Sequence, residues 1–516
     1  MINSKHTILN IITVVVVLFI NILLNFGLSS FIVDKMGEAA YGYVQLANTF
    51  ISYISIITVA LNSMASRFIT LELQKKNLKN ANKYFSSVFY ANIFLTLCLL
   101  IPSIFFIIFL DNLIAIPTNL IFEVKCLFFL LGINFFLSLL GNVSMIATYC
   151  TNKLYLSSIK NMQATILKFC VVLLLFLTFK PSIYYIAIAT ICSTIYILYH
   201  NIKFTKILVP ELKISKKFYS IKNVKTLISS GIWNSITNLG NLMMDGLDLI
   251  ISNIVVSPVS MGLVAIAKTP SVVFSNLISS VSNVLQPSLF KDCDKKNYNE
   301  ILVDNTVRGM KICSIFGNIP ACFIFVFGFE FFSVWMRDSN IQVLYFLSIV
   351  SFLNVLSGGI SSPLFNIYTI TNSVKLNAVT RIVLGIISIS IMLVFINLLD
   401  NDLYVIVGTS AITGLIFNTL ILPVQINRIL NISVKKIYKL ITRYYLTSIV
   451  ICIVYYACSL LINVNNWYML FAAILISAII GLVVNYFLLI NSEDRYTINM
   501  YVKSKKNLFF NKVSHN

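Results

Sequence analysis

Charge is scarce in this chain, and histidine and tryptophan are scarcer still. Asp, Glu, Lys and Arg together make up 11% of its 516 residues, with 3 His and 3 Trp. A chain that is 58% hydrophobic cannot cover itself with a water-soluble surface, so a soluble globular class is excluded. The histidines, His6, His200 and His515, lie far apart, and neither an H-E-x-x-H motif nor a G-x-x-x-x-G-K-[ST] phosphate loop occurs. No catalytic constellation can be assembled from what remains, and the chain reads as a non-enzyme. The 10 cysteines lie mostly inside apolar runs and form no C-x-x-C pair, against a disulfide framework or a zinc site. No cofactor is expected; energy coupling, where present, would use H⁺ or Na⁺.

What is abundant is long apolar sequence. About fourteen runs are long enough to cross a bilayer as helices: about 8–31, 44–66, 85–110, 121–148, 157–179, 182–200, 228–256, 263–285, 312–334, 341–369, 382–399, 403–427, 444–463 and 467–490. The first could pass for a signal peptide, but it is too long for a typical apolar core and lacks a small-x-small cleavage site, so it reads as a retained helix. The fold class is therefore an all-α polytopic membrane protein.

Most of the 38 Lys and Arg residues fall in every second gap between runs. Lys35, Lys180 and Arg337 lie in the alternate gaps, and Lys125, Lys168 and Lys268 sit inside or at the edge of runs. Loops that keep their Lys and Arg stay cytoplasmic, which places both termini in the cytoplasm. The net charge of +20 is spread over short segments with no single basic patch, which speaks against a nucleic-acid partner and for anionic membrane lipid.

The longest basic connection, 201–226, divides the chain after the sixth run. Residues 1–200 are expected to form one six-helix lobe and 227–430 a second. Residues 431–516 would add two helices and a basic tail. An offset of 220 residues places Gly42, Val44, Ala47 and Thr49 on Gly262, Val264, Ala267 and Thr269, and Lys75-Lys76-Asn77 on Lys295-Lys296-Asn297. Six runs separate the copies, so the lobes should share one orientation about an axis along the membrane normal, with a substrate site between them.

The chemistry must come from polar residues at membrane depth. The seventh run carries Asn234, Asn238, Asn241, Asp245 and Asp248 at helical spacing, on one face. A charged group at mid-bilayer costs roughly 2.5–3.5 kcal/mol on insertion scales, so this stripe must face protein or water. The same offset sets Asn21 and Asn25 of the first run against Asn241 and Asp245. Lys268 in the eighth run either pairs with Asp248 or presents charge to an anionic substrate. Lys168 in the fifth run lies roughly 16 Å from either end, too deep to snorkel, and needs a carboxylate or a watery cavity. Pro270 is expected to bend the eighth run, and Pro320, Gly358-Gly359 and Pro363 to interrupt the ninth and tenth.

Several segments resemble the Wzx-type polysaccharide flippases of the MATE-like (MOP) superfamily. They are Met36-Gly37-Glu38-Ala39-Ala40-Tyr41-Gly42-Tyr43, Asn62-Ser63-Met64-Ala65-Ser66-Arg67, and the stretch from Asp245 through Gly262 to Gln286-Pro287-Ser288. The match is weaker at Gly262-Leu263-Val264-Ala265-Ile266-Ala267, which lacks the aromatic common in such proteins. The resemblance implies two lobes around a cationic cavity in the bacterial cytoplasmic membrane. It implies alternating-access export of undecaprenyl-pyrophosphate-linked oligosaccharide for O-antigen, capsule or exopolysaccharide, alongside a polymerase and glycosyltransferases of the pathway. Lys168 and Lys268 would then serve the pyrophosphate, and the Asn234–Asp248 stripe the sugars. Asp245 or Asp248 would instead hold a coupling ion. A MATE-like cation-coupled drug antiporter is the alternative on the same fold. A membrane polysaccharide polymerase or ligase is disfavoured by short external loops nearly free of Arg and His.

Overall fold

With no water in hydrocarbon to satisfy backbone N–H and C=O groups, a chain this apolar must close its hydrogen bonds within helices. The computed structural model describes residues 4–151, 153–289, 298–396, 398, 402–431, 435–491 and 494–495, and all regular structure among them is helical. A first helix, α1, spans Ser4–Met36. Thirteen more are long and apolar enough to cross a membrane, each on one expected run. They are α2 (Glu38–Gln74), α3 (Leu78–Ile108), α4 (Thr118–Cys150), α5 (Leu154–Thr178), α6 (Tyr184–Leu208), α7 (Ile221–Val256) and α8 (Pro258–Leu289). They continue with α9 (Tyr298–Trp335), α10 (Ile341–Ile370), α11 (Val374–Ile396), α12 (Asp402–Leu430), α13 (Lys435–Ser459) and α14 (Trp467–Leu488). The loop Lys295-Lys296-Asn297 and the basic tail beyond 495 lie outside the described residues.

Asn side chains start two of these helices: Asn77 Oδ1 accepts from Asn80 N at 3.2 Å, and Asn466 Oδ1 from Met469 N at 2.9 Å. The expected breaks fall differently. Helix α9 runs through Pro320 without interruption, and α10 passes Gly358-Gly359 before a 3₁₀ turn at Ser362–Leu364 that contains Pro363. A proline within an apolar helix is tolerated where neighbours satisfy the freed carbonyl, so proline alone did not locate the breaks.

The helices pack as two compact units. One comprises residues 1–269, 338–340 and 374–413, and the other 270–337, 341–373 and 414–516. Within the first unit, α7 packs on both α2 and α11. Glycine allows that approach. A Cβ at Gly231 would stand 2.0 Å from the carbonyl oxygen of Ala60 on α2, and one at Gly240 would stand 2.7 Å from Arg381 Cβ on α11. Within the second unit, α13 and α14 are fastened to α9 and α10 by buried polar bonds. Asn318 and Asn485 exchange side-chain amide bonds at 2.9 and 3.2 Å, and Tyr444 OH donates to Leu356 O at 2.8 Å.

Candidate functional site

The backbone of α7 is irregular within the stripe. The regular hydrogen-bond ladder is interrupted at Gly246 and Leu247, which keep right-handed helical dihedrals; it resumes over Asp248–Ile251, and Ser252–Val256 forms a wide π turn. Asp248 therefore follows Asp245 by a little under one turn. Glycine costs about 1 kcal/mol in a helix interior relative to Ala, which makes Gly246 the weak point. One cation from α8 bonds on both sides of the irregularity. Lys268 Nζ donates to the Asp245 carbonyl oxygen at 3.0 Å, where a helix terminus carries partial negative charge, and to Asp248 Oδ2 at 2.6 Å. Ser410 Oγ of α12 donates to the same carboxylate oxygen at 2.9 Å.

Lys268 therefore pairs with Asp248; that side chain is 0% exposed, and the lysine 18%. Buried charges persist only when paired and hydrogen-bonded, and both conditions hold here. The second oxygen, Asp248 Oδ1, has no partner among the described residues; neither has Ser252 Oγ one turn on, nor Tyr53 OH on α2, which faces Asp248 electrostatically. Asp245 differs: its side chain is exposed.

A second cation completes the cluster. Helix α11 lies close enough to α7 for Arg381 Nη1 to donate to Asn241 Oδ1, while Arg381 Nε donates to Asn377 Oδ1 at 3.2 Å. Lys268 and Arg381 both act electrostatically on Asp245. Sequence reasoning missed Arg381 because the eleventh apolar run begins at residue 382. Asn377, Arg381 and Gly385 recur every fourth residue and so share a face, a signal that was available.

The rest of the stripe does other work. Asn234 Nδ2 donates to Ser63 Oγ of α2 at 3.2 Å, and neighbouring Ser235 to Ile56 O at 2.7 Å, so this stretch is an interhelical seam. Asn238 is half-buried and has no hydrogen bond among the described residues. On α1, Asn25 donates to the Asn21 carbonyl at 2.8 Å, and Asn21 Oδ1 is buried without a partner. Helix α1 packs on α5, where Phe31 and Phe176 stand 5.4 Å apart between ring centroids. Eight residues below Phe176, Lys168 is half-buried and has neither hydrogen bond nor ion pair among the described residues. Among the described residues, Asn21, Asn25 and Lys168 share no hydrogen bond or ion pair with Asp248, Ser410 or Asn241.

A cavity of about 210 Å³ in the first unit is lined by Asn62, Ser66, Asn142 and Tyr149 among others, and none of the predicted residues lines it. No group of three His, Cys, Asp or Glu suited to a metal occurs among the described residues.

No family model matches the chain. It is 25% identical over 410 residues to the uncharacterized membrane protein EpsK of Bacillus subtilis (strain 168), covering 80% of this chain and 81% of that one. The lipid II flippase MurJ, in an inward closed conformation, aligns with a TM-score of 0.66 at 16% identity over 94% of this chain and 98% of its own. The eukaryotic MATE transporter AtDTX14 aligns at 0.62 with 12% identity over 83% and 98%. An outward-facing multidrug resistance MATE family transporter of the MOP superfamily aligns at 0.59 with 13% identity over 81% and 96%. This chain is thus a multi-pass membrane protein with the fold of MOP superfamily transporters.

Proposed function

We propose that this protein moves a lipid-linked oligosaccharide with an anionic diphosphate headgroup across the bacterial cytoplasmic membrane by alternating access, both termini being cytoplasmic. The observation that carries the reading is Lys168. It is a cation in the middle of a membrane-spanning helix, half-buried and without a counter-ion among the described residues. Charge at that depth is expensive, and a visiting anion or the water of a transport path offsets the cost. The diphosphate would meet Lys168 and Lys268. Asn21, Asn25, Asn238 and Asn241 supply amides for sugar hydroxyls, with Asn234 on the seam beside them. The likeness in fold to a lipid II flippase supports a lipid-linked cargo, whose tail would stay in the bilayer. A polymerase and glycosyltransferases would act before and after this step, and a proton or Na⁺ at Asp245 or Asp248 would couple it.

A drug-cation antiporter would need a carboxylate open to a cation. Asp248 is held by Lys268, and Lys268 and Arg381 both act on Asp245, so neither carboxylate is left open for a cationic substrate. The test is export in cells. Lys168→Ala should reduce delivery of lipid-linked sugar to the outer leaflet at normal protein abundance, and Lys268→Ala should reduce it per molecule of folded protein. Unimpaired export in both variants would remove the reading. Cysteine placed at 238 and 245, in a background without native cysteines, should react with a water-borne thiol reagent, and protection of both would show a dry seam.

A further inference from the structure

The cavity in the first unit involves none of the residues assigned above to cargo. It measures about 210 Å³ and lies between α2, the end of α4 and Leu154 at the start of α5. Its shape follows from an irregularity in α4. Regular helix ends at Asn142, a 3₁₀ turn covers Val143–Met145, and one last helical turn, Ile146–Cys150, closes the element. A 3₁₀ turn has 3.0 residues where an α-helix has 3.6, so side chains on either side of it are rotated out of the register of one continuous helix. Asn142 before the turn and Tyr149 after it both line the cavity, with Ser66 of α2.

The polar groups that fasten the walls are bonded to one another. Asn62 and Asn92 exchange amide bonds at 3.1 and 3.0 Å, and Asn92 also donates to Leu139 O at 3.1 Å, which ties α2, α3 and α4 together. The hydroxyls of Thr148 and Ser157 lie 2.9 Å apart and tie α4 to α5, while Thr205 Oγ1 of α6 donates to Ser144 O at 2.8 Å. The cavity is thus held by a shell of bonds that leaves three lining groups unused. The Ser66 hydroxyl, the Asn142 amide and the Tyr149 hydroxyl have no hydrogen bond among the described residues. A supported wall with free donors and acceptors is how a pre-formed binding site is built.

The lining selects the ligand. None of the lining residues is charged, so an ion would find no counter-charge on the walls. A purely aliphatic ligand would desolvate two hydroxyls and an amide without replacing their hydrogen bonds, at about 1–3 kcal/mol each. The volume is below the about 300–1,000 Å³ of sites for drug-sized molecules, which leaves room for a single ring. Tyr149 is 53% exposed and offers a flat apolar face with a hydroxyl at its edge. A small neutral ring with hydroxyls on its rim and C–H bonds on its face satisfies all four conditions.

We propose that this cavity binds one neutral pyranose ring, held by Ser66, Asn142 and Tyr149. It lies where α2 finishes and α5 starts, the cytoplasmic end in the orientation proposed above. The site is separate from the amides of α1 and α7 and does not rest on the transport reading. The ring is either one sugar of a lipid-linked molecule or a free sugar, and the recognition chemistry is the same.

The experiment is saturation-transfer NMR on the full chain, in a zwitterionic detergent without a sugar headgroup. The probes are methyl glucopyranoside and methyl N-acetylglucosaminide, with sorbitol and methyl glucuronide as controls. Transfer is expected to the neutral pyranosides, strongest at their ring C–H protons, and little to either control. Ser66→Ala, Asn142→Leu and Tyr149→Phe each remove one partner that bonds nothing in the described fold. Each should weaken binding about twofold to tenfold, as loss of one neutral hydrogen bond does, and the triple variant should abolish transfer. Retention volume and circular dichroism would show that the variants are folded. No transfer to either pyranoside, equal transfer to a control, or unchanged affinity in the triple variant overturns the proposal. Lys168→Ala should leave pyranoside affinity at its wild-type value; a loss there would put the ring in the proposed transport path and overturn a separate site. Export by the triple variant then identifies the source: reduced delivery of lipid-linked sugar assigns the bound ring to the cargo, and full delivery assigns it to a free sugar.

Discussion

Gly42 of α2 and Gly262 of α8 touch backbone to backbone. A Cβ on Gly42 would lie 2.9 Å from the Cα of Gly262, and a Cβ on Gly262 would lie 2.3 Å from the carbonyl oxygen of Glu38. These are the two glycines that the 220-residue offset matches. Tyr41, next to Gly42, and Thr269, about two turns along α8 from Gly262, bond with Tyr41 OH and Thr269 Oγ1 2.8 Å apart.

This close approach has a measurable consequence. Gly262→Ala forces a methyl group against backbone that cannot rotate away, and overpacking of this kind costs about 1–3 kcal/mol. The unfolding temperature in detergent should fall by several degrees. Gly358 on α10 has open space where a methyl group would stand, with nothing within 4 Å, so Gly358→Ala should be neutral or slightly stabilising through helix propensity. Equal effects from the two substitutions would show that the crossing is not tightly packed.

The pair at the break of α7 makes the second prediction. Asp248→Ala leaves Lys268 without its buried counter-ion, and Lys268→Ala leaves Asp248 without its own; each should destabilise by roughly 3–5 kcal/mol. The double variant should lose much less than the sum, because no uncompensated charge remains. Chemical unfolding of the four proteins gives the coupling directly. Additive losses would mean that the two side chains are stabilised by other groups.

Outside the membrane-spanning segments, Asp111 offers a pH-dependent test. Lys125 Nζ lies 2.8 Å from Asp111 Oδ1 and also donates to Ile108 O at 2.9 Å. The lysine's hydrogen bond holds the Asp111 carboxyl below its ordinary range. A depressed value in the folded protein means that the ion pair's contribution is present above the unfolded aspartate value and is lost as pH falls through the folded one. The group is exposed, so the effect on stability is small. Carbon-detected NMR of aspartate-labelled protein should show the Asp111 midpoint rising toward about 3.9 in Lys125→Met. An unmoved midpoint would discard the pairing.

The membrane-spanning architecture was legible because it depends on run length and hydropathy, which are local. The thirteen spans from α2 to α14 fall on runs drawn from sequence. The site was legible only in part, because it depends on where a helix yields. Asn234 to Asp248 keep a regular spacing, and nothing in that spacing discloses the irregularity at Gly246. Lys268, from another helix, bonds on both sides of the irregularity, to Asp245 O and to Asp248 Oδ2. Arg381 was hidden by a boundary drawn one residue too late, and its role rests on α7 coming close at Gly240, a tertiary fact. The choice between pairing and substrate contact for Lys268 was likewise open until Asp248 was placed against it.

Lys168 separates a transport role from a structural one most cleanly. A lysine that holds a fold together loses stability when it is replaced; a lysine that waits for an anion does not. Lys168 lies on the same face of α5 as buried Ala164 and Val172, yet has no hydrogen bond or ion pair among the described residues. Lys168→Met keeps the length of the stem and removes the charge, whose cost at membrane depth is roughly 2.5–3.5 kcal/mol on insertion scales. Thermal stability in detergent should therefore stay level or rise, while delivery of lipid-linked sugar falls. Lys168→Arg should retain more export than Lys168→Met, because the charge persists at the same depth. A destabilised Lys168→Met protein would assign the residue to packing and leave the proposed path without its central cation.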